Sequence, residues 1–225
     1  MNEFDDSKGK KRKKKKPKPK RVGAVTLFKR LGKTVMRVRK NRKTSKKKKN
    51  RTPDQKKVNN KFQKMRKLYA AYRAVMEGHP AWKSAAALYG DEGQTGDNYF
   101  YVTNHNYVND GGGVGCFSLF KFCRGELALP WNIRLSRQGN SIALTWHDDR
   151  QDSGGHGSDR VLVGLFYDNH PTRPVLFDTG ATRAEGCAGI LLDPQYGPHA
   201  HLYIFFESKD KTTYSENLYF ETMES

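Results

Sequence analysis

The chain has 225 residues, and its 42 lysines and arginines against 23 aspartates and glutamates give a formal net charge of +19. This length is enough for one large domain, or for one ordinary domain with appendages. The sequence shows no run of 18 apolar residues and no apolar stretch of a secretory signal near its start, so we expect no membrane span and a soluble, cytoplasmic protein.

The positive charge is concentrated at one end of the chain. Residues 1–73 contain 31 lysines and arginines against four acidic residues, a net of +27, whereas residues 74–225 contain 11 against 19, a net of −8. The sequence therefore predicts a basic arm joined to a mildly acidic body. Because its like charges repel, the arm needs a polyanion to become compact.

Residues 1–21 form a lysine-rich tail. Of the 14 residues from 8 to 21, 11 are lysine or arginine, and such a composition cannot bury apolar area. We expect this tail to be disordered, with Pro17 and Pro19 favouring an extended backbone.

A short apolar pattern follows the tail. The stretch VGAVTLFKRLGKTVMRVR at 22–39 predicts a β-hairpin that turns near Gly32 and places Arg37 and Arg39 on one face. A second basic run follows, with nine lysines or arginines among the 13 residues from 39 to 51.

A long amphipathic helix is predicted over residues 52–78. Thr52, Pro53 and Gln55 form a helix-start signal with a capping box, and Gly78 is a natural stop. One face carries an apolar stripe that we expect to pack in a core: Val58, Phe62, Met65, Tyr69, Tyr72 and Met76. The other faces carry Lys56, Lys57, Lys61, Lys64, Arg66, Lys67 and Arg73.

The rest of the chain predicts two short helices and then strands. We expect helices over 81–89 and 95–107, which complete a basic hairpin and helical region over 22–110, and a linker at the GGGVG run of 111–115. Turn clusters separate candidate strands at 116–122, 132–136, 140–147, 160–167, 173–178, 187–192, 200–206 and 214–221. The predicted fold is therefore α+β, with an all-β, immunoglobulin-like (Greek-key) sandwich over residues 116–225.

Several segments between residues 22 and 220 together have a family pattern. They are the hairpin at 22–39, NRTPDQ at 50–55, FCRGELALP at 122–130, SIALTWHDD at 141–149, DTGATRAEGCAGILL at 178–192 and HLYIFFESKDKTTYSENLYF at 201–220. These segments resemble the Bacteroidota domain of unknown function numbered 6266. The resemblance implies a sandwich second half and no catalytic residues. The lysine tail and the basic run at 39–51 depart from the family pattern and point to a specialised, polyanion-binding member.

Non-enzymatic nucleic-acid binding, to RNA or DNA, is the function that the charge pattern favours. Lysine predominates over arginine in the basic runs, which suits contact with phosphates rather than reading of bases. We expect the protein to join a nucleoid-, ribosome- or virion-associated nucleoprotein assembly. The predicted contact residues are Lys10, Lys11, Arg12, Lys13, Lys14, Lys15, Lys16, Lys18, Lys20, Arg21, Arg37, Arg39, Lys40, Arg42, Lys43, Lys46, Lys47, Lys48, Lys49, Arg51, Lys57, Lys61 and Lys64.

Three alternatives remain open at this stage. The sandwich could be an interaction module of a phage particle or other assembly, with a tail that serves solubility or packing, and an acidic membrane surface is another polyanion that a basic arm binds. A cation site could form from the loop residues His147, Asp148, Asp149, Asp152, His156 and Asp159, or from His199 and His201, although strand-joining loops are ordinarily rich in such residues.

No cofactor and no metal is predicted. The three cysteines, Cys116, Cys123 and Cys187, are an odd number and do not have the spacing of a zinc pair. We expect buried free thiols.

Overall fold

The computed structural model describes residues 20–22, 25–30, 33–38, 52–148 and 154–222. The chain divides into two compact units, residues 1–50 and residues 51–225. The predicted tail at 1–21 lies outside the described residues, apart from Lys20 and Arg21.

The first unit contains a small antiparallel sheet. Its strands are β1 (Lys20–Val22), β2 (Val25–Arg30) and β3 (Lys33–Val38), in the order β1-β2-β3. β2 and β3 pair from Val25 opposite Val38 to Arg30 opposite Lys33, which leaves a two-residue connection. The predicted hairpin is therefore present, and β1 adds a third strand to it.

The second unit begins with α1 (Pro53–Val75). The backbone N–H of Gln55 donates to the Thr52 hydroxyl and the backbone N–H of Thr52 donates to the Gln55 side chain, both at 3.3 Å. This capping box satisfies two of the N–H groups that a helix start leaves unpaired. The helix ends three residues before Gly78, whose φ of +85° suits a residue without a Cβ.

Only the second half of the predicted apolar stripe of α1 is buried. Met65, Tyr72 and Met76 lie in the core, but the side chain of Val58 is 66% exposed and that of Phe62 is 38% exposed. The expectation that all six positions pack in a core is thus wrong for the first turns, because burial along α1 begins only at Met65. Those turns leave apolar groups beside the lysines.

Two shorter helices complete a helical layer. They are α2 (Ala81–Tyr89) and α3 (Gly96–Asn104), in the regions where the sequence predicts them. Trp82 of α2 and Phe100 of α3 are buried with their ring centroids 5.2 Å apart. None of the helices in the described residues is long and apolar enough to cross a membrane.

Seven strands follow in the described part of the second unit. They are β4 (Trp131–Gln138), β5 (Ser141–His147), β6 (Arg160–Tyr167), β7 (Val175–Thr182), β8 (Cys187–Leu191), β9 (Ala200–Glu207) and β10 (Leu218–Thr222). They form two antiparallel sheets, with the orders β4-β5-β8 and β10-β9-β6-β7. The second half of the chain is therefore a β-sandwich, as the sequence predicts.

The two central strands of the four-stranded sheet, β6 and β9, are buried on both of their faces. Val163 of β6 and Ile204 of β9 pack in the core between the two sheets, whereas Leu162 and Tyr203 pack in the core that contains the helices. Strands covered on both faces are apolar at every position rather than at alternate ones. This explains the unbroken apolar runs VLVGLFY and HLYIFF.

The helical layer and the four-stranded sheet therefore share a core. The chain divides into compact units at residue 50 and not near the predicted boundary at 110–116. The GGGVG run does not separate two compact units: Val114 forms a β-bridge with Val108, and a Cβ on Gly113 would lie 2.9 Å from Pro171.

Residues 116–122 do not form the predicted strand. They make a turn at 117–119 that directs Phe120 and Phe122 into the shared core. The predicted last strand at 214–221 also begins later, at Leu218.

Candidate nucleic-acid interface

Three of the predicted contact residues lie on the sheet of the first unit. In its register, Arg21 is opposite Thr26, and Thr26 is opposite Arg37. Residues that pair across antiparallel strands share a face, so positions 21 and 37 lie in one row across the sheet. Arg37 is exposed, as a phosphate contact requires, and Lys20 pairs with Leu27 in the next row.

Most of the other predicted contacts fall outside the described residues. They are Lys10, Lys11, Arg12, Lys13, Lys14, Lys15, Lys16, Lys18, Arg39, Lys40, Arg42, Lys43, Lys46, Lys47, Lys48, Lys49 and Arg51. Their assignment as phosphate contacts stays a prediction.

The three predicted lysines of α1 have different surroundings. Lys57 is exposed and Lys61 is partly exposed. Lys64 instead donates from Nζ to the backbone carbonyl of Asp110, and its Cβ lies only 2.8 Å from where a Cβ on Gly112 would be. Lys64 thus joins α1 to the glycine-rich turn, and its ammonium is less available to a phosphate than those of Lys57 and Lys61.

Positive side chains greatly outnumber acidic ones on α1. The helix carries seven lysines and arginines against one acidic residue, Asp54. Among the described residues, no carboxylate forms an ion pair with any of these seven side chains. Those of Lys56, Lys57, Arg66, Lys67 and Arg73 are exposed, so the helix presents unpaired positive charge to the solvent.

A groove lies between α1 and α3. It contains a hollow of about 350 Å³ whose lining includes Phe62, Tyr69 and Tyr101, together with Arg66 and Arg73. A second hollow, of about 520 Å³, adjoins it toward the start of α1 and shares Phe62 and Tyr101 with it. We call these two hollows the α1–α3 groove.

The groove presents aromatic rings beside guanidinium groups. The rings of Phe62 and Tyr101 meet edge to face with centroids 5.1 Å apart, and Cζ of Arg66 lies 6.0 Å from the Phe62 centroid. Tyr101 also stacks on His105, with centroids 5.3 Å apart and planes inclined by 15°. Phe62 is 38% exposed, so a planar ligand in the groove can contact its ring.

The lining of the first hollow carries more positive than negative charge. Burial raises the pKa of Tyr69, the carboxylate of Asp97 raises it further, and Arg73 lowers it, so this phenol stays protonated at neutral pH. Asp97 lies in the first turn of α3 and supplies a hydrogen-bond acceptor opposite the two arginines. The lining of the first hollow, of about 350 Å³, thus carries both hydrogen-bond donors and an acceptor.

Sequence reasoning missed this groove. It assigned Phe62 and Tyr69 to a stripe that packs in a core and gave Tyr101 no role. No local pattern relates positions 62 and 101, which lie 39 residues apart, and only the packing of α3 against α1 brings them together.

The loop that offered a possible cation site has another role in the structure. The Asp159 carboxylate accepts from the backbone N–H of His156 at 2.7 Å and from Nε of Arg183 at 3.1 Å. An arginine already neutralises this carboxylate, which weakens its attraction for a cation. Asp149 and Asp152 lie outside the described residues, and the described residues contain no cluster of three metal-ligating side chains.

His201 is held between two partners. Its Nε2 lies 2.6 Å from Asp168 Oδ1 and its Nδ1 lies 2.8 Å from the Tyr219 hydroxyl. Burial, and then the carboxylates of Glu221 and Asp168, raise the pKa of Tyr219 to about 12, which makes its phenol a poor nucleophile at neutral pH. Because both ring nitrogens are engaged, the cluster serves to fix β9, β10 and the turn after β6. His199, by contrast, is exposed.

A second buried histidine contact links the helical layer to the sandwich. Nδ1 of His79, just after α1, lies 2.6 Å from Oε1 of Glu207 at the end of β9, and the Tyr214 hydroxyl donates to the same oxygen at 2.8 Å. Glu207 is fully buried, so these contacts to Oε1 offset part of the cost of removing its carboxylate from water, whereas Oε2 has no hydrogen-bond partner among the described residues.

Comparisons with known proteins give only a weak structural likeness. No protein-family model and no curated protein matched the chain. Among solved structures, a fourth fibronectin type III domain from human is similar at 23% sequence identity and a TM-score of 0.30, over 44% of this chain and 82% of that domain. The resemblance to domain of unknown function 6266 stays a prediction.

Proposed function

We propose that this protein binds nucleic acid through the phosphate backbone, using the basic residues of its N-terminal third. The observation that carries the proposal is the unneutralised charge of α1, whose exposed cations form no ion pair within the described residues. Residues 1–73 as a whole carry a net +27. Neutralising phosphates with such cations releases counterions, which drives binding at low salt.

The acidic body gives the protein a second, different surface. Residues 74–225 carry a net −8, so they repel phosphates and leave the basic third as the binding region. We propose that the protein joins a nucleoprotein assembly in which the arm contacts the nucleic acid. We also propose that the sandwich is immunoglobulin-like, because the chain crosses between its two sheets from β5 to β6, from β7 to β8 and from β8 to β9.

A salt titration with charge-matched variants tests the proposal. Binding of a labelled oligonucleotide is measured by fluorescence anisotropy between about 50 and 200 mM salt, the range over which a few phosphate contacts change affinity by orders of magnitude. The double variant Lys57→Gln, Lys61→Gln is compared with Arg173→Gln, Lys209→Gln, which removes the same charge from exposed positions of the sandwich loops.

The α1 variant should bind more weakly, and its salt slope should be shallower by about one for each phosphate that the altered side chains no longer neutralise. The loop variant should bind like the unaltered protein. An equal weakening in the two variants would mean that only net charge matters and would contradict a binding surface on α1. Absence of binding by the unaltered chain at the lowest salt would reject the proposed function.

One observation favours the alternative of a protein-interaction module. The side chain of Trp131, at the start of edge strand β4, is 69% exposed, and exposed tryptophans are enriched at protein interfaces. In that case, removing residues 1–21 and 39–51 would leave incorporation into complexes unchanged, and Trp131→Ala would abolish it. Comparing the proteins that co-purify with each variant from cells would distinguish the protein-interaction role from nucleic-acid binding.

A further inference from the structure

We infer that the α1–α3 groove binds an unstacked base of a single-stranded nucleic acid. The inference rests on the proposed function and names the form of nucleic acid that the site prefers. Phe62 is an aromatic side chain that remains 38% exposed among the lysines in the first half of α1.

Single strands offer two chemical groups that match the two kinds of side chain in the groove. Their phosphates suit the exposed cations of α1, and their unpaired bases have open faces that stack on aromatic rings. A duplex offers the phosphates but keeps its base faces inside the stack. Phe62 contacts the Tyr101 ring edge to face and has the Arg66 guanidinium over its own ring, yet it remains 38% exposed, so part of the ring is accessible to a ligand.

The polar groups at the groove also match a base. Arg66 and Arg73 line the first hollow and can donate hydrogen bonds to phosphate or base oxygens. Asp97 lines the same hollow and can accept a hydrogen bond from an exocyclic amino group. The hollow of about 350 Å³ lies within the range of roughly 300–1,000 Å³ that is typical of small-molecule sites.

The charges of the helix argue against an ordinary apolar protein segment as the occupant. A helix with seven cations and one acid, none of them paired among the described residues, favours a polyanionic partner around the groove.

The test compares two oligonucleotides of equal length and charge, a single strand with bases and an abasic strand with the same backbone. The full-length protein should bind the strand with bases more tightly. Stacking of one base on an aromatic side chain corresponds to about a 5- to 150-fold difference in Kd. No variant is needed for this comparison, so a folding defect cannot obscure it.

Variants of Phe62 test whether the groove causes the difference in affinity between the two strands. Phe62→Ala and Phe62→Leu should lose the preference for bases, because neither keeps an aromatic face, whereas Phe62→Tyr should retain it. The matched control is Val102→Ala, which removes another exposed apolar side chain from α3 at a position that does not line the groove. Binding of the abasic strand should be the same for all four variants.

The outcomes separate the two proposals. If the protein binds both strands equally and the Phe62 variants change nothing, the base site is rejected and the phosphate-binding function stands. If the protein binds neither strand, the proposed function fails and the base site fails with it. Loss of base preference in Val102→Ala as well would also overturn the assignment to the groove.

Discussion

Arg183 and Asp159 form an ion pair inside the sandwich: Nε of the arginine lies 3.1 Å from Oδ2 of the aspartate, and the two side chains are 0% and 1% exposed. Nη2 of Arg183 also donates to the carbonyl of Ala128 at 2.6 Å, and its Cζ lies 4.6 Å from the ring centroid of Phe206. Gly155 makes room for the guanidinium, since a Cβ there would lie 2.5 Å from Cζ. One buried cation thus ties together three segments that are distant in the chain.

Removal of this arginine should destabilise the protein strongly. In Arg183→Met, the Asp159 carboxylate would stay buried without its partner, and breaking a buried pair in this way costs about 3–5 kcal/mol. The control is Arg160→Met, because Arg160 pairs with Asp178 at a partly exposed position, where an ion pair contributes about 0–1 kcal/mol. Urea unfolding of both variants measures the difference. Similar destabilisation in both variants would show that the buried ion pair contributes no more to stability than the partly exposed one.

Two glycines in strands should respond very differently to alanine. A Cβ on Gly164 of β6 would lie 2.5 Å from the ring of Phe122, whereas a Cβ on Gly189 of β8 would have no atom within 4 Å. Gly164→Ala should therefore force the Phe122 ring away from the sheet and cost about 1–3 kcal/mol, as overpacking does. Gly189→Ala should be neutral or slightly stabilising. Thermal unfolding checks both, and an unchanged Tm for Gly164→Ala would contradict the packing.

The protein should lose stability in strong alkali. Burial raises the pKa of Tyr219 from an ordinary value of 10.0 to about 12, and burial also raises the pKa of Tyr203 and Tyr214. A raised pKa means that the unfolded chain releases the phenolic proton first, so the stabilisation is complete below pH 10 and is lost as the pH rises through about 12.

Urea unfolding between these two pH values should therefore show a falling free energy of unfolding, and Tyr219→Phe should reduce the slope. Ultraviolet absorbance of tyrosinate identifies which phenols ionise while the protein is still folded. A free energy that does not change over this interval would show that these tyrosines titrate alike in both states.

The three cysteines should differ in reactivity. The structure contains all three as free thiols, and it corrects the expectation that all are buried: Cys187 is exposed and Cys116 is half-buried. Burial raises the pKa of the fully buried Cys123, so this thiol has little of the reactive thiolate form. Iodoacetamide should modify Cys187 first, Cys116 more slowly and Cys123 only after unfolding. Peptide mass spectrometry resolves the order, and early modification of Cys123 would contradict its burial.

The sequence by itself determined the local structure and the distribution of charge. Thr52, Pro53 and Gln55 predict the start of α1, because a capping box involves only neighbours within one turn. Turn clusters between apolar segments likewise predict most strands of the sandwich, and a simple count of charges locates the basic third of the chain.

Tertiary structure decided which of those residues are buried and which are exposed. Val58 and Met65 have the same place in the apolar stripe, yet only Met65 is buried, because burial depends on partners supplied by distant parts of the chain. The same reason explains why residues 116–122 form a turn into the core rather than a strand, and why Lys64 bonds to Asp110 rather than remaining free. The groove between Phe62 and Tyr101 likewise exists only once α3 packs on α1. Periodicity identifies a face of a helix, but only long-range packing determines how much of that face is covered.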